Sequence, residues 1–430
     1  MPRARALPLL RCTVVTRPRD LIAVALATGL ALAACSGDDS TAPTTTAAVT
    51  TTTMPPTEVG DGRLVIGVLL PTGDAVLGEP MIAATELAID RINDAGGVFG
   101  VPVRVIVADE GETTATATAS IQSLLARDVD AIVGPGSSLI ALSTLDDIVT
   151  SGTVACSPTA SALALDDFPD DDLFFRTVPS DSLQAEAIAQ AADQTGALEA
   201  SIVHIDDAYG RALAASVTQA MGGGAISVRD TIAFSERDDD LTGEARQLLD
   251  SGSPVAIVLA GDSDGTRFLE TLGRLNTDGL ATIVVNDAMR GTDWPQRIAG
   301  LDPGLRSRIV GIAPQAQSSN PAEPFDPPGP FASNAYDCVN LIALAAVAAG
   351  SDAAVDIARE IPSVSSNGSA CRTFAACVDA IDDGLVIDYN GPSGLVELGR
   401  SGDPSRAVFD RFRYGPDGED TLERTVPAGQ

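Results

Sequence analysis

The sequence predicts an α/β protein built from two doubly wound lobes. Short apolar runs, typical of buried parallel strands, alternate with amphipathic helical stretches. The alternation begins at Leu64, pauses near residue 177 and then restarts. At 430 residues, the chain is also too long for one ordinary core and suits about two. Together these observations predict two lobes of the same kind.

The first predicted lobe begins with a continuous apolar run, Leu64–Leu70, which indicates a strand buried on both faces. A helix is predicted over Met81–Asp94, where Gly96-Gly97 ends it. A second helix is predicted around Ile121–Leu125, because apolar side chains recur there at helical spacing. Further strands are predicted at Val103–Ala108, Ala131–Val133 and Thr153–Ala155.

The second predicted lobe repeats this pattern after Phe174–Asp181. The helices between its strands carry apolar stripes, for example Phe268, Leu272 and Leu275. Its strands are predicted at Ser201–Ile205, Ile226–Ile232, Val255–Leu259, Thr282–Val285 and Ile309–Ile312. After a Pro-rich stretch, the sequence predicts a buried Ala-rich helix at about 331–349, a helix after Cys371, and strands at Leu395–Glu397 and Ala407–Tyr414.

The N-terminus has the layout of a secretory signal: arginines, an apolar run from Leu21, and small residues before Cys35. Leu32-Ala33-Ala34-Cys35 resembles the lipobox of bacterial lipoproteins; the alternative is an ordinary signal with a chance cysteine. The resemblance implies that residues 1–34 are removed and that Cys35 is lipidated. The mature chain would then be anchored to the outer face of the cytoplasmic membrane.

A disordered tether and an acidic, soluble domain are predicted after Cys35. Residues 35–62 are rich in Thr and Pro and low in hydrophobicity, which is typical of disorder. The formal net charge is −32, and all 27 basic residues are Arg. This charge excludes nucleic acid as an electrostatic partner and disfavours anionic lipid surfaces.

The cysteines predict one disulfide bond and leave a second one open. Cys371 and Cys377 flank a five-residue stretch that a bond could close in an oxidising compartment. Metal binding is the alternative for this pair, but it needs two further ligands. Cys156 and Cys338 are either free core thiols, which we favour, or a second bond. His204, the single histidine, lies inside an apolar strand and is interpreted as structural.

The order and spacing of several motifs resemble those of extracellular solute-binding proteins of the branched-chain amino-acid class, over about residues 63 to 415. The resemblance implies the type I periplasmic-binding fold, with two Rossmann-like lobes joined by a three-strand hinge. It assigns residues 63–177 and 313–388 to lobe one, and residues 178–312 and 389–425 to lobe two. The motifs are Ile66-Gly67-Val68, Glu86–Asn93, Gly134-Pro135-Gly136-Ser137-Ser138, Ser157-Pro158-Thr159-Ala160-Ser161, Phe175–Asp181 and Asp206-Asp207-Ala208-Tyr209-Gly210.

Candidate ligand contacts follow strands in both lobes, since ligands of doubly wound sheets bind beyond the carboxyl ends of the strands. In lobe one, backbone amides and hydroxyls at Ser137 and Ser138 suit a carboxylate, although both serines also fit as helix caps. Ala160 and Ser161 match a contact pair of the family. In lobe two the candidates are Tyr209, Asp262 and Asp287, of which Asp287 matches an acidic residue that pairs with the ligand ammonium.

These features indicate a binding protein rather than an enzyme. With one His and no Cys–His set, the usual hydrolase constellations are missing, and we expect neither a cofactor nor a metal. The resemblance implies the substrate-binding protein of an ABC importer, which binds an amino acid or a related small amide and then docks on a membrane permease. The alternative is a ligand-sensing module for a membrane receptor.

Overall fold

The computed structural model describes residues 60–290, 294–315, 325 and 329–429, without the side chains of residues 262 and 294. The predicted signal peptide, Cys35 and the tether as far as residue 59 lie outside these residues.

Five parallel strands, alternating with helices, form the first sheet. The strands are β1 (Val65–Leu70), β2 (Arg104–Asp109), β3 (Ala131–Val133), β4 (Val154–Ser157) and β5 (Phe174–Arg176). The helices between them are α1 (Gly78–Asp94), α2 (Thr114–Leu125) and α3 (Ser138–Thr150). The sheet order is β2-β1-β3-β4-β5, so β1 and β3 are interior and fully buried, as their apolar sequences predict.

A second set of parallel strands begins after residue 198. Its strands are β6 (Glu199–Ile205), β7 (Ser227–Phe234), β8 (Val255–Leu259), β9 (Thr282–Val285) and β10 (Ile309–Pro314). The helices are α4 (Asp181–Asp193), α5 (Ala208–Met221), α6 (Thr242–Ser251), α7 (Asp262–Gly273), α8 (Trp294–Ala299) and α9 (Pro303–Arg306).

The C-terminal part of the chain contributes to both lobes. Its elements are α10 (Ala332–Ala349), α11 (Ala354–Val364), β11 (Ser369–Cys371), α12 (Phe374–Asp382), β12 (Ile387–Tyr389), β13 (Ala407–Tyr414) and β14 (Asp420–Ala428). The three helices of this part, α10, α11 and α12, pack with strands of the first sheet in one core. Strands β11 and β12 pair with each other. Strands β13 and β14 join the second sheet antiparallel, which gives the order β14-β13-β10-β9-β8-β6-β7.

The predicted class of two doubly wound α/β lobes is confirmed, with lobe one built on the first sheet and lobe two on the second. Helix α10 is long and apolar enough to resemble a membrane span, but most of its residues are buried in the protein core. It also carries Asp337, which accepts a hydrogen bond from the Tyr389 hydroxyl at 2.7 Å. It is therefore the predicted buried helix. The residue boundaries assigned to the lobes remain a prediction.

Three crossovers connect the lobes, and side chains tie them together. The first crossover begins at Thr177, whose hydroxyl donates to the Asn334 carbonyl at 3.0 Å, while the Asn334 amide donates back to the Thr177 carbonyl at 2.9 Å. This pair links the first crossover to the start of α10, where the second ends. Arg176, the last residue of β5, donates to Asp403 at 2.6 Å. This bond links the end of β5, just before the first crossover, to the third crossover.

The C-terminal end differs from the sequence prediction in one wrong strand and in elements that were not predicted. Leu395–Glu397 is not a strand: it has no regular secondary structure, and only an isolated bridge between Leu398 and Pro404 follows it. Strand β14 was not predicted, because most of its residues are exposed at the sheet edge and polar. Helix α11 was not predicted either, although it buries one apolar face that includes Ile357 and Ile361.

Two disulfide bonds are present within the described residues. Cys371 and Cys377 are bonded, which confirms the predicted pair. Cys156 and Cys338 are also bonded, so the interpretation of these residues as free thiols was wrong. They lie 182 residues apart in sequence, and only the packing of α10 against β4 brings them together.

We expect removal of the Cys156–Cys338 bond to destabilise the protein more than removal of the Cys371–Cys377 bond. The chain-entropy model gives about 5 kcal/mol for a separation of 182 residues and about 2 kcal/mol for 6 residues. Urea unfolding of the two double Cys→Ala variants measures both losses. A larger loss for the Cys371/Cys377 variant would contradict the expectation.

Candidate functional site

The candidate contacts of lobe one lie on two neighbouring loops at the carboxyl edge of the first sheet. Ser137 is the N-cap of α3, where its hydroxyl accepts from the Ile140 amide at 3.5 Å, and Ser138 is the first residue of the helix. Ala160 and Ser161 follow β4, the strand beside β3. Ser137, Ser138 and Ser161 are half-buried, so their polar groups reach the edge of the lobe.

Hydrogen bonds join the two loops into one unit. The Ser157 hydroxyl donates to the Pro135 carbonyl at 2.6 Å, and the Thr159 hydroxyl donates to the Gly136 carbonyl. The Ala162 amide donates to the Ser138 hydroxyl at 3.3 Å. Because of these bonds, a shift of either loop moves the other.

A buried arginine supports the second loop from inside the lobe. The Arg176 side chain is fully buried and donates from Nη1 to the carbonyls of Ala160 and Ala162, each at 3.2 Å. Its other nitrogens bond to Asp166 at 2.7 Å and Asp403 at 2.6 Å. One cation thereby fixes the carbonyls on either side of Ser161. Burial raises the pKa of Asp403 to about 6, although the nearby guanidinium opposes the rise.

The contacts of lobe two follow β6 and β9. Tyr209 lies in the first turn of α5, and its hydroxyl accepts from the Asn286 side-chain amide at 2.8 Å. Asn286 is fully buried, and its side-chain oxygen, Oδ1, accepts from the Ala260 backbone amide at 3.2 Å. This chain of bonds fixes the tyrosine hydroxyl relative to the ends of β8 and β9.

Two carboxyl groups lie together where the lobes meet. Asp181 begins α4, is 3% exposed, and its amide donates to the Ser161 carbonyl at 2.9 Å. Burial, and then the neighbouring Asp287, raise the pKa of Asp181, while a hydrogen bond with the Ser161 hydroxyl lowers it. The resulting pKa is about 8. Burial likewise raises the pKa of the half-buried Asp287. Burial raises the pKa of Tyr209, and the charges of Asp287 and Asp181 raise it as well.

A buried amide lies beside this acid pair. Gln184, on α4, is 2% exposed and faces Asp287, whose pKa it lowers. Within the described residues, neither the nitrogen nor the oxygen of the Gln184 amide makes a hydrogen bond of good geometry. A buried amide in this state is costly and is available to a bound molecule.

The structure thus brings Ser161, Tyr209 and Asp287 together and connects Ser138 to them through its own loop. Asp262 is the first residue of α7, and its side chain lies outside the described residues. His204 is 6% exposed, and its Nδ1 lies 2.8 Å from the Ile205 carbonyl oxygen, which agrees with a structural role. Two open cavities on lobe two, of about 440 and 320 Å³, include none of these residues.

Sequence reasoning missed four polar residues of this region: Glu110, Asp181, Gln184 and Asn286. Asp181 is the last residue of the hinge-like Phe175–Asp181 motif and was interpreted only as part of it. Gln184 follows three residues later. The available signal was an acidic residue and an amide at helical spacing directly after a strand and Ser180. Asn286 precedes the predicted Asp287, and its role depends on a hydrogen bond to a residue 77 positions away.

With the fold and the site described, comparison with known proteins identifies the family. A family model described as "Periplasmic binding protein" matches residues 64–303, more than half of the chain. The chain therefore belongs to this family, and the resemblance found in the sequence is confirmed.

Individual relatives and structures agree with this assignment. The chain is 28% identical over 360 residues to the "Chemotactic signal transduction system substrate-binding protein BasB" of Halobacterium salinarum, covering 78% of this chain and 83% of the relative. It is 23% identical to the "Leu/Ile/Val-binding protein homolog 3" of Brucella melitensis, over 82% of this chain and 91% of that protein.

Solved structures share the fold. One is an ABC transporter substrate-binding protein of Desulfitobacterium hafniense in complex with Leu, with a TM-score of 0.65 and 19% identity over 84% of this chain and 99% of that one. Another is the branched-chain amino acid transporter substrate-binding protein LivJ of Streptococcus pneumoniae in complex with isoleucine. It has a TM-score of 0.65 and 19% identity, over 86% of this chain and 100% of that one.

Proposed function

We propose that the protein is the extracytoplasmic substrate-binding protein of an ABC importer and binds an amino acid between its two lobes. The observation that carries this proposal is chemical asymmetry: the carboxyl groups of Asp181 and Asp287 lie together on one side of the site. The start of α3, with Ser137 and Ser138, lies on the other side, and Ser161, which bonds to Asp181, lies between them. A zwitterion with one ammonium and one carboxylate matches both sides. The name of the Brucella melitensis relative and the titles of the two structures, which refer to branched-chain amino acids, support the same class.

The ammonium half of the proposed site consists of Asp181, Asp287 and Tyr209. Without a cation, carboxylates removed from water are unfavourable: burial raises the pKa of both groups, and the charge of Asp287 adds to the rise at Asp181. An ammonium placed between them relieves desolvation and mutual repulsion at once. The Tyr209 ring and hydroxyl lie beside the same charges and complete this half.

The carboxylate half consists of the donors at Ser137, Ser138 and Ser161. Ala160 directly precedes Ser161 on the same loop. A helix start stabilises a negative charge through its free amides and dipole, and α3 begins at Ser138. Ligand contacts from both lobes favour the closed arrangement of the hinge, so binding and closure are coupled. Asp262, the first residue of α7, is proposed as a further contact.

The location of the protein follows from its N-terminus. Lipidation at Cys35 after removal of residues 1–34 would anchor the chain outside the cytoplasmic membrane, and residues 35–62 would serve as the tether. The family assignment and the two disulfide bonds support an extracytoplasmic compartment. The partner on the membrane would be an ABC permease that accepts the closed form.

A sensing role is the second candidate, because the relative from Halobacterium salinarum is named a chemotactic signal transduction protein. A deletion strain separates the two functions. Loss of amino-acid uptake indicates an importer, whereas normal uptake with loss of a behavioural or signalling response indicates a sensor. Amino-acid binding is common to both roles.

Thermal unfolding in the presence of candidate ligands tests the binding proposal. The protein without residues 1–35 is screened against the L-amino acids, neutral amides, ureas and polyamines. A ligand that binds only the folded state raises Tm with its concentration. We expect shifts with branched-chain or related zwitterionic amino acids, and loss of these shifts in Asp287→Asn.

The matched control is Asp278→Asn, which neutralises an exposed carboxylate on the same lobe and should retain the shifts. Shifts with neutral amides alone, unchanged in Asp287→Asn, would overturn the amino-acid proposal. The absence of any shift across the whole panel would also overturn it.

A further inference from the structure

A buried glutamate lies beneath the loop that starts α3, outside the contacts considered so far. Glu110 follows directly after β2, and its backbone amide donates to the Leu70 carbonyl at the end of β1 at 3.1 Å. Its side chain is 3% exposed. The carboxyl group therefore lies inside lobe one, at the same sheet edge as the proposed ligand.

The Glu110 carboxylate binds the loop backbone. Its Oε2 accepts from the Gly136 amide at 2.7 Å and from the Ser137 amide at 3.3 Å. A Cβ atom at Gly136 would lie 3.2 and 3.3 Å from the two carboxylate oxygens and 3.1 Å from Pro71. Any larger residue would therefore push against the carboxylate and Pro71, so glycine lets the backbone approach the carboxylate closely.

This arrangement changes the interpretation of the predicted anion site. The sequence predicts that amides at the start of α3 face the ligand, but an internal carboxylate already accepts from two of them. The amides of Ile140 and Ala141 bond to Ser137 itself, so the donors left at this loop are the Ser137 and Ser138 hydroxyls and the amides of Ser138 and Leu139. Their position depends on the loop, which the glutamate holds from beneath, and the loop also carries the bond from Ala162 to Ser138.

We propose that Glu110 is a positioning residue of the carboxylate subsite: its buried carboxylate holds the loop at Gly136 and Ser137 and thereby fixes the donors that receive the ligand carboxylate. This inference rests on the proposed function and adds a residue that does not itself touch the ligand. It predicts that Glu110 affects only ligands that carry a carboxylate.

The charge state of Glu110 makes this role sensitive to pH. Burial raises the pKa of Glu110 to about 7, the amides of Gly136 and Ser137 oppose the rise, and the neighbouring Asp109 adds to it. An ionised carboxylate accepts hydrogen bonds more strongly than a neutral carboxyl. The loop is therefore held most firmly above pH 7.

Calorimetric titration with two probes tests the proposal. L-leucine carries both charged groups, whereas L-leucinol keeps the ammonium and the side chain but has a hydroxymethyl group in place of the carboxylate. In Glu110→Gln we expect the Kd for L-leucine to rise by about tenfold or more, with little change for L-leucinol. Glu112→Gln, two residues away and exposed, is the matched control and should bind both probes like the wild type.

A second measurement compares the two probes as the pH changes. In the wild type, the ratio of the L-leucinol Kd to the L-leucine Kd should fall as the pH is lowered from 8.5 to 6.0. Asp181 and Asp287 act on the ammonium of both probes but also on the carboxylate of L-leucine, so their titration contributes to this ratio equally in the wild type and in Glu110→Gln. In Glu110→Gln the ratio should be low, and its fall with pH should be smaller than in the wild type.

The outcomes distinguish the two proposals. If the wild type binds L-leucine, but Glu110→Gln binds both probes equally well or loses both equally, the positioning role is overturned and the proposed function stands. A wild-type ratio that falls with pH no more than the ratio of Glu110→Gln also overturns the positioning role. If the wild type binds neither probe, the proposed function fails for this ligand, and the inference that rests on it fails too.

Discussion

Replacement of Asp181 by Asn is expected to weaken amino-acid binding by about 30- to 1,000-fold, which corresponds to about 2–4 kcal/mol. The reason is that Asp181 is almost fully buried and, with Asp287, supplies the negative charge for the ligand ammonium. In the variant only the Asp287 carboxylate remains to offset the free-energy cost of removing the ligand ammonium from water. Isothermal titration calorimetry of the wild type and the variant at pH 8 measures the loss.

The same substitution should stabilise the ligand-free protein at alkaline pH. The pKa of Asp181 is about 8 in the folded state, against an ordinary value of 3.8, so the folded state binds the proton more tightly than the unfolded state. Its contribution to stability is fully present below pH 3.8 and is lost as the pH rises through about 8. Asn does not titrate, so the variant avoids this loss.

Urea unfolding without ligand at pH 5.0 and 8.5 tests this expectation. The free energy of unfolding of Asp181→Asn should gain about 4 kcal/mol on the wild type between these two pH values, as pKa values of 3.8 unfolded and about 8 folded imply. Asp278→Asn, which changes an exposed carboxylate, should show no such gain. Weakened binding without the pH-dependent gain would contradict the assignment of Asp181 as a buried acid that is costly without its ligand.

Replacement of Arg176 by Met is expected to reduce the free energy of unfolding by about 3–5 kcal/mol. The guanidinium is fully buried and satisfies four acceptors: the carboxylates of Asp166 and Asp403 and the carbonyls of Ala160 and Ala162. Without it, two carboxylates lose their cation and the loop around Ser161 loses its support. The loss should be smaller at pH 5, where Asp403 can take up a proton.

Burial is the factor under test, so the control is an ion pair of similar length at the surface. Arg229 and Glu199 are 2.6 Å apart, with side chains 48% and 43% exposed. Arg229→Met should cost about 1 kcal/mol or less. The triple variant Arg176→Met, Asp166→Asn, Asp403→Asn should recover part of the lost stability. Equal losses for Arg176→Met and Arg229→Met would contradict the role assigned to Arg176.

Local patterns predicted most of the fold, because buried parallel strands must be apolar along their whole length. Leu64–Leu70 and Val255–Leu259 illustrate this, since strands β1 and β8 are buried throughout. Strand β14 differs because it lies at the edge of the second sheet, with most residues exposed and polar. An edge strand of this kind depends on pairing with β13 rather than on its own apolar pattern.

The site was predicted only as far as single loops carry its chemistry. Ser138, Ser161 and Asp287 follow strands, and that position alone marks them as candidates. The roles of Glu110 and Asp181 depend on contacts across the fold: Glu110 lies 26 residues from Gly136, and Asp181 meets Asp287 only because α4 packs against β9. The Cys156–Cys338 bond escaped prediction for the same reason, with 182 residues between its partners.

A crystal structure of the protein grown with its tightest-binding amino acid tests the central claim most directly. We expect the ligand between the lobes, with its ammonium at hydrogen-bond distance from Asp181 and Asp287 and its carboxylate at the donors of Ser138 and Ser161. A ligand bound elsewhere on the protein, or bound there in the reverse orientation, would contradict the account.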